Sequence, residues 1–185
     1  MLKRSKLLTP LSFLRLESAD LFRYQWGIPG ALTIASLIVY YILPTEPLLL
    51  GSEGLVARMN GLLGTLIGFY IAALAAVATF PNAKLDETMK GRAPKLAYQR
   101  GGENRVETLT RRRFLSVLFG YSAFLSIALY GFGILTFAIE PSIEQGLLRR
   151  ILSVVWIASY AFMLNSLTVV TLLGLSYLIE RMHRD

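Results

Sequence analysis

The sequence contains no cysteine and only one histidine. The lack of cysteine excludes disulfide bonds, thiolate metal ligands and thiol nucleophiles. The single histidine, His183, lies near the end of the chain between basic residues and has no second imidazole with which to hold a metal. We therefore expect no metal and no cofactor.

Charged residues are absent from four long stretches of the chain, 26–43, 59–80, 114–139 and 151–179. At 1.5 Å of rise per residue, even the shortest would form about 27 Å of helix, close to the hydrocarbon thickness of a bilayer. The chain is 54% hydrophobic with a mean hydropathy of +0.52. We predict an all-α membrane protein in which residues 1–185 form one four-transmembrane-helix bundle. Because no span carries an ionisable residue, a proton-coupled transporter is not expected.

Residues 1–25 mix charged and apolar side chains and carry Thr9-Pro10, a pair typical of a helix start. We expect an amphipathic helix that lies in the membrane interface, with three cations on anionic lipid headgroups. These are Lys3, Arg4 and Lys6. Docking of a partner protein is the alternative role for this segment.

The polar segment 81–113 carries nine basic and four acidic residues. Asn104, followed three residues later by Glu107, resembles a helix-capping pair. We therefore predict that the third helix begins near Asn104 and extends about 15 Å beyond the membrane. The last three basic residues of segment 81–113, Arg111, Arg112 and Arg113, are expected to contact lipid headgroups.

The remaining cations of this segment have three possible partners: lipid, nucleic acid or a soluble protein. Tyr98 is the only aromatic residue between Phe80 and Phe114, so the stacking surface of a nucleic-acid site is missing and direct nucleic-acid binding is not expected. We favour docking of a cytosolic protein. The candidate docking residues are Lys84, Lys90, Arg92, Lys95, Arg100 and Arg105.

Basic residues are distributed unequally between the two sides of the predicted bundle. Sixteen of the 19 Lys and Arg residues lie in the N-terminal segment, the central segment and the C-terminal tail. By the positive-inside rule, both termini and residues 81–113 should face the cytoplasm of a bacterial inner membrane.

Small residues recur every four positions along the second span and line one face of it. This face consists of Asn60, Gly64, Gly68, Ala72 and Ala76. Helices in lipid associate where small residues let their backbones approach closely. We predict a packing seam, either for helices of the same chain or for other copies in a homo-oligomer; a high content of Gly and Ala is also common in membrane helices in general.

Asn165 is the deepest polar residue, near the middle of the fourth span, and Thr168 lies on the same face. An amide at this depth needs a hydrogen-bond partner, which favours a contact between helices. If several copies turned this face inward, the same two residues would instead line a polar pore.

No catalytic constellation is present, because the carboxylates of the central segment lie among cations and no hydrophobic pocket around them is indicated. We expect a non-enzymatic protein. The stretch Phe114 to Leu135, FLSVLFGYSAFLSIALYGFGIL, together with chain size and topology, resembles small four-span membrane subunits of bacterial antiphage defence systems of the Kiwa type.

The resemblance implies an inner-membrane homo-oligomer that senses phage attack and recruits or regulates a cytosolic effector. We therefore expect a membrane scaffold or sensor. A pore-forming protein that depolarises the membrane is the alternative.

Overall fold

The computed structural model describes residues 6–17, 19–43, 49, 53–89, 94–100, 103–139 and 146–182. Within them, four helical segments are long and apolar enough to cross a membrane: Arg23–Ile42, Leu55–Thr79, Arg111–Leu135 and Ile151–Ile179. The predicted four-span helical membrane fold is confirmed. The α-helices are α1 (Ala19–Phe22), α2 (Ile28–Ile42), α3 (Leu55–Thr79), α4 (Ala83–Asp86), α5 (Arg111–Ile139) and α6 (Leu147–Met182).

The bundle is organised around α5. Half of the residues in its spanning window are buried, compared with 11% in α3. The buried side chains of α5 include neighbouring positions and so cover more than one face of the helix, as expected for a helix that is enclosed on two sides: Phe114, Leu115, Leu118, Phe119, Tyr121, Ser122, Ala123, Leu125, Ser126 and Leu129. Helices α3 and α6 both pack on α5, and α2 packs on α6.

Helix α3 faces α5 through residues at a seven-residue spacing, Val56, Leu63 and Tyr70, each only 1% exposed. The Tyr70 hydroxyl lies 2.5 Å from the Thr171 hydroxyl, which ties α3 to α6. Gly133 of α5 faces α3 so closely that a Cβ atom there would lie 3.0 Å from Cγ1 of Val56. The backbones of α3 and α5 therefore approach each other closely, and the glycine that allows this belongs to α5 and not to the predicted small-residue face of α3.

A three-stranded antiparallel sheet lies at one end of the bundle, which we call the sheet end. It consists of β1 (Leu16–Glu17), β2 (Lys95–Arg100) and β3 (Glu103–Thr108), in that order. Strands β2 and β3 form a hairpin in which Arg100 is opposite Glu103, so that Gly101-Gly102 connects them.

The prediction that the third helix starts near Asn104 is wrong, because Asn104 lies within β3 and α5 begins at Arg111. Two adjacent glycines between two short polar stretches favour a tight hairpin over a helix. The cap of α5 is Thr110, whose hydroxyl accepts a hydrogen bond from the Arg113 backbone N–H at 3.3 Å.

The predicted amphipathic helix in the membrane interface is not confirmed for the N-terminal segment. Residues Lys6–Arg15 form a 3-10 helix that packs against α5. Phe13 is fully buried and stacks on Tyr121 with 4.9 Å between ring centroids. The Gln25 amide donates to the Phe13 carbonyl at 2.6 Å. The apolar side chains of this segment thus contribute to the protein core.

We expect Gly133→Ala to lower the free energy of unfolding by about 1–3 kcal/mol relative to Gly64→Ala, because the new methyl group overpacks the α3–α5 contact. A Cβ atom at Gly64 has no neighbour within 4 Å. Both variants replace a helical glycine, so the change in helix propensity cancels in the comparison. Reversible unfolding in detergent micelles, followed by circular dichroism, measures the difference; equal stabilities would contradict the packing described here.

Candidate functional site

Arg112, at the start of α5, connects this helix to the end of α3. Its guanidinium donates to both carboxylate oxygens of Asp86, from Nε at 2.7 Å and from Nη2 at 3.2 Å. Its Nη1 donates to the carbonyls of Val77 and Phe80 at 2.5 and 3.1 Å. The last carbonyls of a helix have no partner within it and carry partial negative charge, so a guanidinium is a suitable cap.

Arg111 makes a second connection within the same region. Its side chain is only 7% exposed and lies 2.9 Å from the carboxylate of Glu87. The Arg111 backbone N–H also donates to the Glu87 carbonyl at 3.2 Å. A guanidinium this deeply buried requires such a counter-charge, because transferring it from water unpaired would be very unfavourable. We call Asp86, Glu87, Arg111 and Arg112 the arginine junction.

Backbone hydrogen bonds attach the sheet to the arginine junction. Met89 donates to the Leu109 carbonyl at 3.3 Å, and Leu109 donates to the Pro94 carbonyl at 3.4 Å. Thr88 and Thr110 form an antiparallel bridge. Leu109 is 1% exposed and lies in the core cluster. The part of segment 81–113 that the structure describes is therefore a folded unit fixed to two spans.

The hydrogen bond from Arg112 lowers the pKa of Asp86 below its ordinary value of 3.8. A guanidinium that donates two parallel hydrogen bonds stabilises the carboxylate form. The folded state therefore binds a proton at this position less readily than the unfolded chain does.

The prediction of lipid contact is wrong for Arg111, whose side chain is only 7% exposed and pairs with Glu87. Arg112 pairs with Asp86 but its side chain is 23% exposed, so lipid contact there stays a prediction. Arg113 is exposed beside them, and for it lipid contact stays a prediction. Lys6 lies in the 3-10 helix, and Lys3 and Arg4 lie outside the described residues.

The predicted docking residues lie in or near the folded unit at the sheet end. Lys84 is in α4, Lys95 and Arg100 are the end residues of β2, and Arg105 is opposite Tyr98 in β3. Lys90 and Arg92 lie outside the described residues. Four of the six residues are thus distributed over a single hairpin and the short helix that precedes it.

The predicted packing seam is not a contact within the chain at Gly64 and Gly68. Both glycines are exposed, and a Cβ atom at either would have no neighbour within 4 Å. Ala72 is exposed too, and Ala76 is half-buried. Asn60 does reach α5, since its side-chain amide occupies the space beside Gly133. A seam between copies stays a prediction.

The side chain of Asn165 lies between α6 and α2. Its amide nitrogen is 3.3 Å from the Thr33 hydroxyl and 3.5 Å from the Ser36 hydroxyl. Thr168, one turn further along, is exposed and donates to the Leu164 carbonyl at 3.0 Å. Within one chain, Asn165 therefore contributes a contact between helices.

The interior also contains two contacts that sequence reasoning did not identify. The hydroxyls of Tyr121 and Ser166 lie 3.5 Å apart between α5 and α6, and the Tyr70–Thr171 pair connects α3 to α6. A hydroxyl in an apolar helix is common, and only the three-dimensional register tells which two meet. The carboxylate partners of the arginines were detectable in principle, since Asp86 and Glu87 stand near the end of one span and the two arginines near the start of the next.

Among the residues that the structure describes, no group of three or more His, Cys, Asp or Glu side chains is arranged to hold a metal ion. The comparisons with known proteins find no matching family model, no matching curated protein and no matching solved structure.

We expect Arg112→Gln to destabilise the fold more than Asp86→Asn, since the first loses the hydrogen bonds to two carbonyls as well as the ion pair. The contribution of Asp86 is fully present above its ordinary pKa of 3.8 and is lost as the pH falls through its lowered folded value. Acid unfolding of the wild type should therefore include a component that Asp86→Asn lacks. Thermal unfolding between pH 2 and 7 in detergent measures both effects.

Arg58→Gln is the matched control, because Arg58 forms an exposed pair with Glu53 at 3.5 Å. Such pairs contribute little to stability. If Arg112→Gln were no more harmful than Arg58→Gln, Arg112 would not hold α3 and α5 together.

Proposed function

We propose that this protein is a non-enzymatic membrane scaffold or sensor subunit that assembles into a homo-oligomer in the bacterial inner membrane and holds a cytosolic effector at its sheet end. The observation that carries the proposal is the folded, polar unit formed by part of segment 81–113, which is clamped to α3 and α5 by the arginine junction. A surface that is fixed to two spans can transmit a displacement of either span to a bound protein. A solvated linker would not.

The charge distribution supports a cytoplasmic location for this unit. The segments predicted to be cytoplasmic contain 16 of the 19 Lys and Arg residues. Two of these segments meet in the sheet, since β1 pairs with β2, and the C-terminal end of α6 is nearby because Tyr177 contacts Phe114. The positive-inside rule then orients the sheet end toward the cytoplasm of a bacterial inner membrane.

The chemistry of the hairpin favours an acidic protein partner. Lys95, Arg100 and Arg105 lie on its two strands, and Lys84 precedes them in α4. Long-range attraction between such a surface and an acidic protein speeds their association. Together with the resemblance to subunits of antiphage systems, this favours a role in which phage attack on the membrane is relayed to a soluble effector.

We expect the triple variant Lys84→Glu, Lys95→Glu and Arg105→Glu to lose a cytosolic protein that co-purifies with the wild type in mild detergent, because the reversed charges repel an acidic partner. The protection of cells against phage, measured by plaque counts, should fall in parallel. Quantitative mass spectrometry of the purified complexes, with the amount of membrane protein held equal, gives the measurement.

The control reverses Arg149 and Arg150, which lie at the opposite end of the bundle, where α6 begins. This variant changes the net charge in the same direction but should keep both the co-purifying protein and the phage protection. Equal recovery from all three proteins would remove the hairpin as the docking surface. Equal loss from both variants would point to a general effect of charge.

A pore remains the second candidate function, and it has one observation in its favour. Ser36 and Thr168 are exposed on the outside of the chain, and Asn165 lies between them. Several copies that turned this face inward would line a path with hydroxyl and amide groups. The two functions are distinguishable by experiment. Asn165→Leu with Thr168→Leu would abolish ion flux through such a path but would leave binding of an effector at the sheet end unchanged.

A further inference from the structure

Asn165 is the central residue of the span Ile151–Ile179. Fourteen helical residues separate it from either end of this span, which corresponds to about 21 Å. Lipid headgroups and bulk water are therefore out of reach. A polar atom at this depth can be satisfied only by protein or by water enclosed within protein.

The hydroxyl groups beside Asn165 fix the orientation of its amide. The Thr33 hydroxyl donates to the Pro29 carbonyl at 2.7 Å, and the Ser36 hydroxyl donates to the Leu32 carbonyl at 2.8 Å. Both hydroxyl protons are thus used, and the two oxygens face Asn165 only as acceptors. The amide must turn its N–H₂ group toward α2, as the distances of 3.3 and 3.5 Å show.

The consequence is that the Oδ1 atom of Asn165 points away from these hydroxyls and accepts no hydrogen bond from any residue that the structure describes. It also differs from Oδ1 of Asn60, which lacks a partner but is enclosed by protein. The oxygen of Asn165 is not among the enclosed atoms, and the side chain is only half-buried. It is an acceptor without a partner in the described chain, at a depth where lipid would supply no donor.

The surface around this oxygen has the pattern of a helix–helix contact. Residues at alternating spacings of three and four form a continuous line along α6, and none of them is buried. We call this line the α6 face: Ala158, Ala161, Asn165, Thr168, Leu172 and Leu175. A single asparagine at the centre of such a line is known to fix the alignment of two helices.

We propose that two copies of this chain, inserted in the same orientation, meet along the α6 face, where the Asn165 oxygen of each copy accepts a hydrogen bond from the other. Parallel copies bring equal residue numbers to the same depth. The donor is an N–H of Asn165 in the second copy, which gives up its 3.5 Å contact with the Ser36 hydroxyl of its own chain; the Thr168 hydroxyl cannot donate, because its proton is bonded to the Leu164 carbonyl. This inference rests on the assembly of several copies in the proposed function and names the surface that produces it.

The small-residue face of α3 makes no comparable demand. Gly64 and Gly68 expose only backbone whose hydrogen bonds are formed within the helix, so contact with lipid leaves no group unsatisfied. Oδ1 of Asn165 is unsatisfied in lipid and gains a partner only through association. The two faces are therefore distinguishable by experiment.

The absence of native cysteine allows single-cysteine cross-linking without background. We expect Leu172→Cys to form a covalent dimer when membranes are treated with a mild oxidant. Leu172 is 57% exposed and lies seven residues from Asn165 on the same face, so both polar groups stay intact. Ile127→Cys on α5, 53% exposed, is the control for random collision and should give much less dimer.

Two further variants, each made in the Leu172→Cys background, assign the effect to the Asn165 oxygen. Asn165→Leu removes both symmetry-related hydrogen bonds and should lower the association constant about 9- to 900-fold, the square of the roughly 3- to 30-fold expected for one hydrogen bond between membrane helices. Thr33→Val with Ser36→Ala should leave it unchanged or raise it, because the amide loses its contacts in the chain but keeps its acceptor. Energy transfer between labelled copies at increasing lipid dilution measures the constants.

Each remaining outcome overturns the proposal and says what replaces it. Cross-linking at Gly68→Cys but not at Leu172→Cys would show that copies meet through α3, and the assembly in the proposed function would survive. A covalent adduct with a different protein would identify a hetero-complex. A dimer that persists in Asn165→Leu would assign the contact to apolar packing. If every variant stays monomeric in bilayers while the cytosolic partner still co-purifies, self-association fails but the scaffold function stands.

Discussion

Hydrocarbon offers no hydrogen-bond partner, and this constraint governs how polar side chains are used in the spans. Hydroxyl groups on all four spanning segments donate to the carbonyl four residues earlier in their own helix. Examples are Thr33, Ser36, Thr79, Ser122, Ser126, Ser159, Thr168, Thr171 and Ser176. Each helix thus satisfies most of its own polar groups, and apolar packing around α5 determines which helices meet. Asn165 is different because an amide has two donors and an acceptor, more than the backbone of its own helix supplies.

The sheet end follows a different rule, because water is available there and charges become useful. Arg112 neutralises Asp86 and also caps the carbonyl end of α3, so one side chain joins two spans. Arg111 and Glu87 repeat the connection one residue away. The hairpin that follows is held to these residues by backbone hydrogen bonds. A protein bound to the hairpin would therefore be connected to α3 and α5 through the backbone hydrogen bonds and the arginine junction. Such a connection suits a subunit that transmits a displacement of its spans to a bound protein.

The sequence was sufficient to predict the four spans. The mean hydropathy of eighteen or more consecutive residues depends only on which residues they are, so no knowledge of their contacts is needed. It was insufficient where a residue has two possible partners. Arg111 and Arg112 suit lipid phosphates as well as carboxylates, and only the return of α3 to the same end selects Asp86 and Glu87. Asn104 suits a helix cap as well as a strand: its spacing from Glu107 indicates a capped helix, whereas the Gly101-Gly102 pair beside it indicates a hairpin.

The glycine face of α3 shows the same limitation in another form. Periodicity identified a smooth face, but smoothness does not say what covers it. The fold brings Val56, Leu63 and Tyr70 to α5 and leaves Gly64 and Gly68 outside, because larger side chains fill the groove around α5 more completely. Similarly, the mixed charged and apolar pattern of residues 1–25 predicts an interfacial position for Phe13, whereas its contact with Tyr121 places it in the core. No local pattern predicts a contact between residues so distant in sequence.

Symmetry limits how the two exposed faces can be used together. Copies inserted in the same orientation can be related only by axes along the membrane normal. A contact between two α6 faces is isologous and requires a two-fold axis of this kind. A second isologous contact, between two α3 faces, would add another two-fold axis parallel to the first. Two parallel two-fold axes together generate a translation, so copies would be added without limit and form an open array. In a closed assembly in which α6 meets α6, the small-residue face of α3 must therefore meet lipid or a different surface, which makes it the face available to another membrane component.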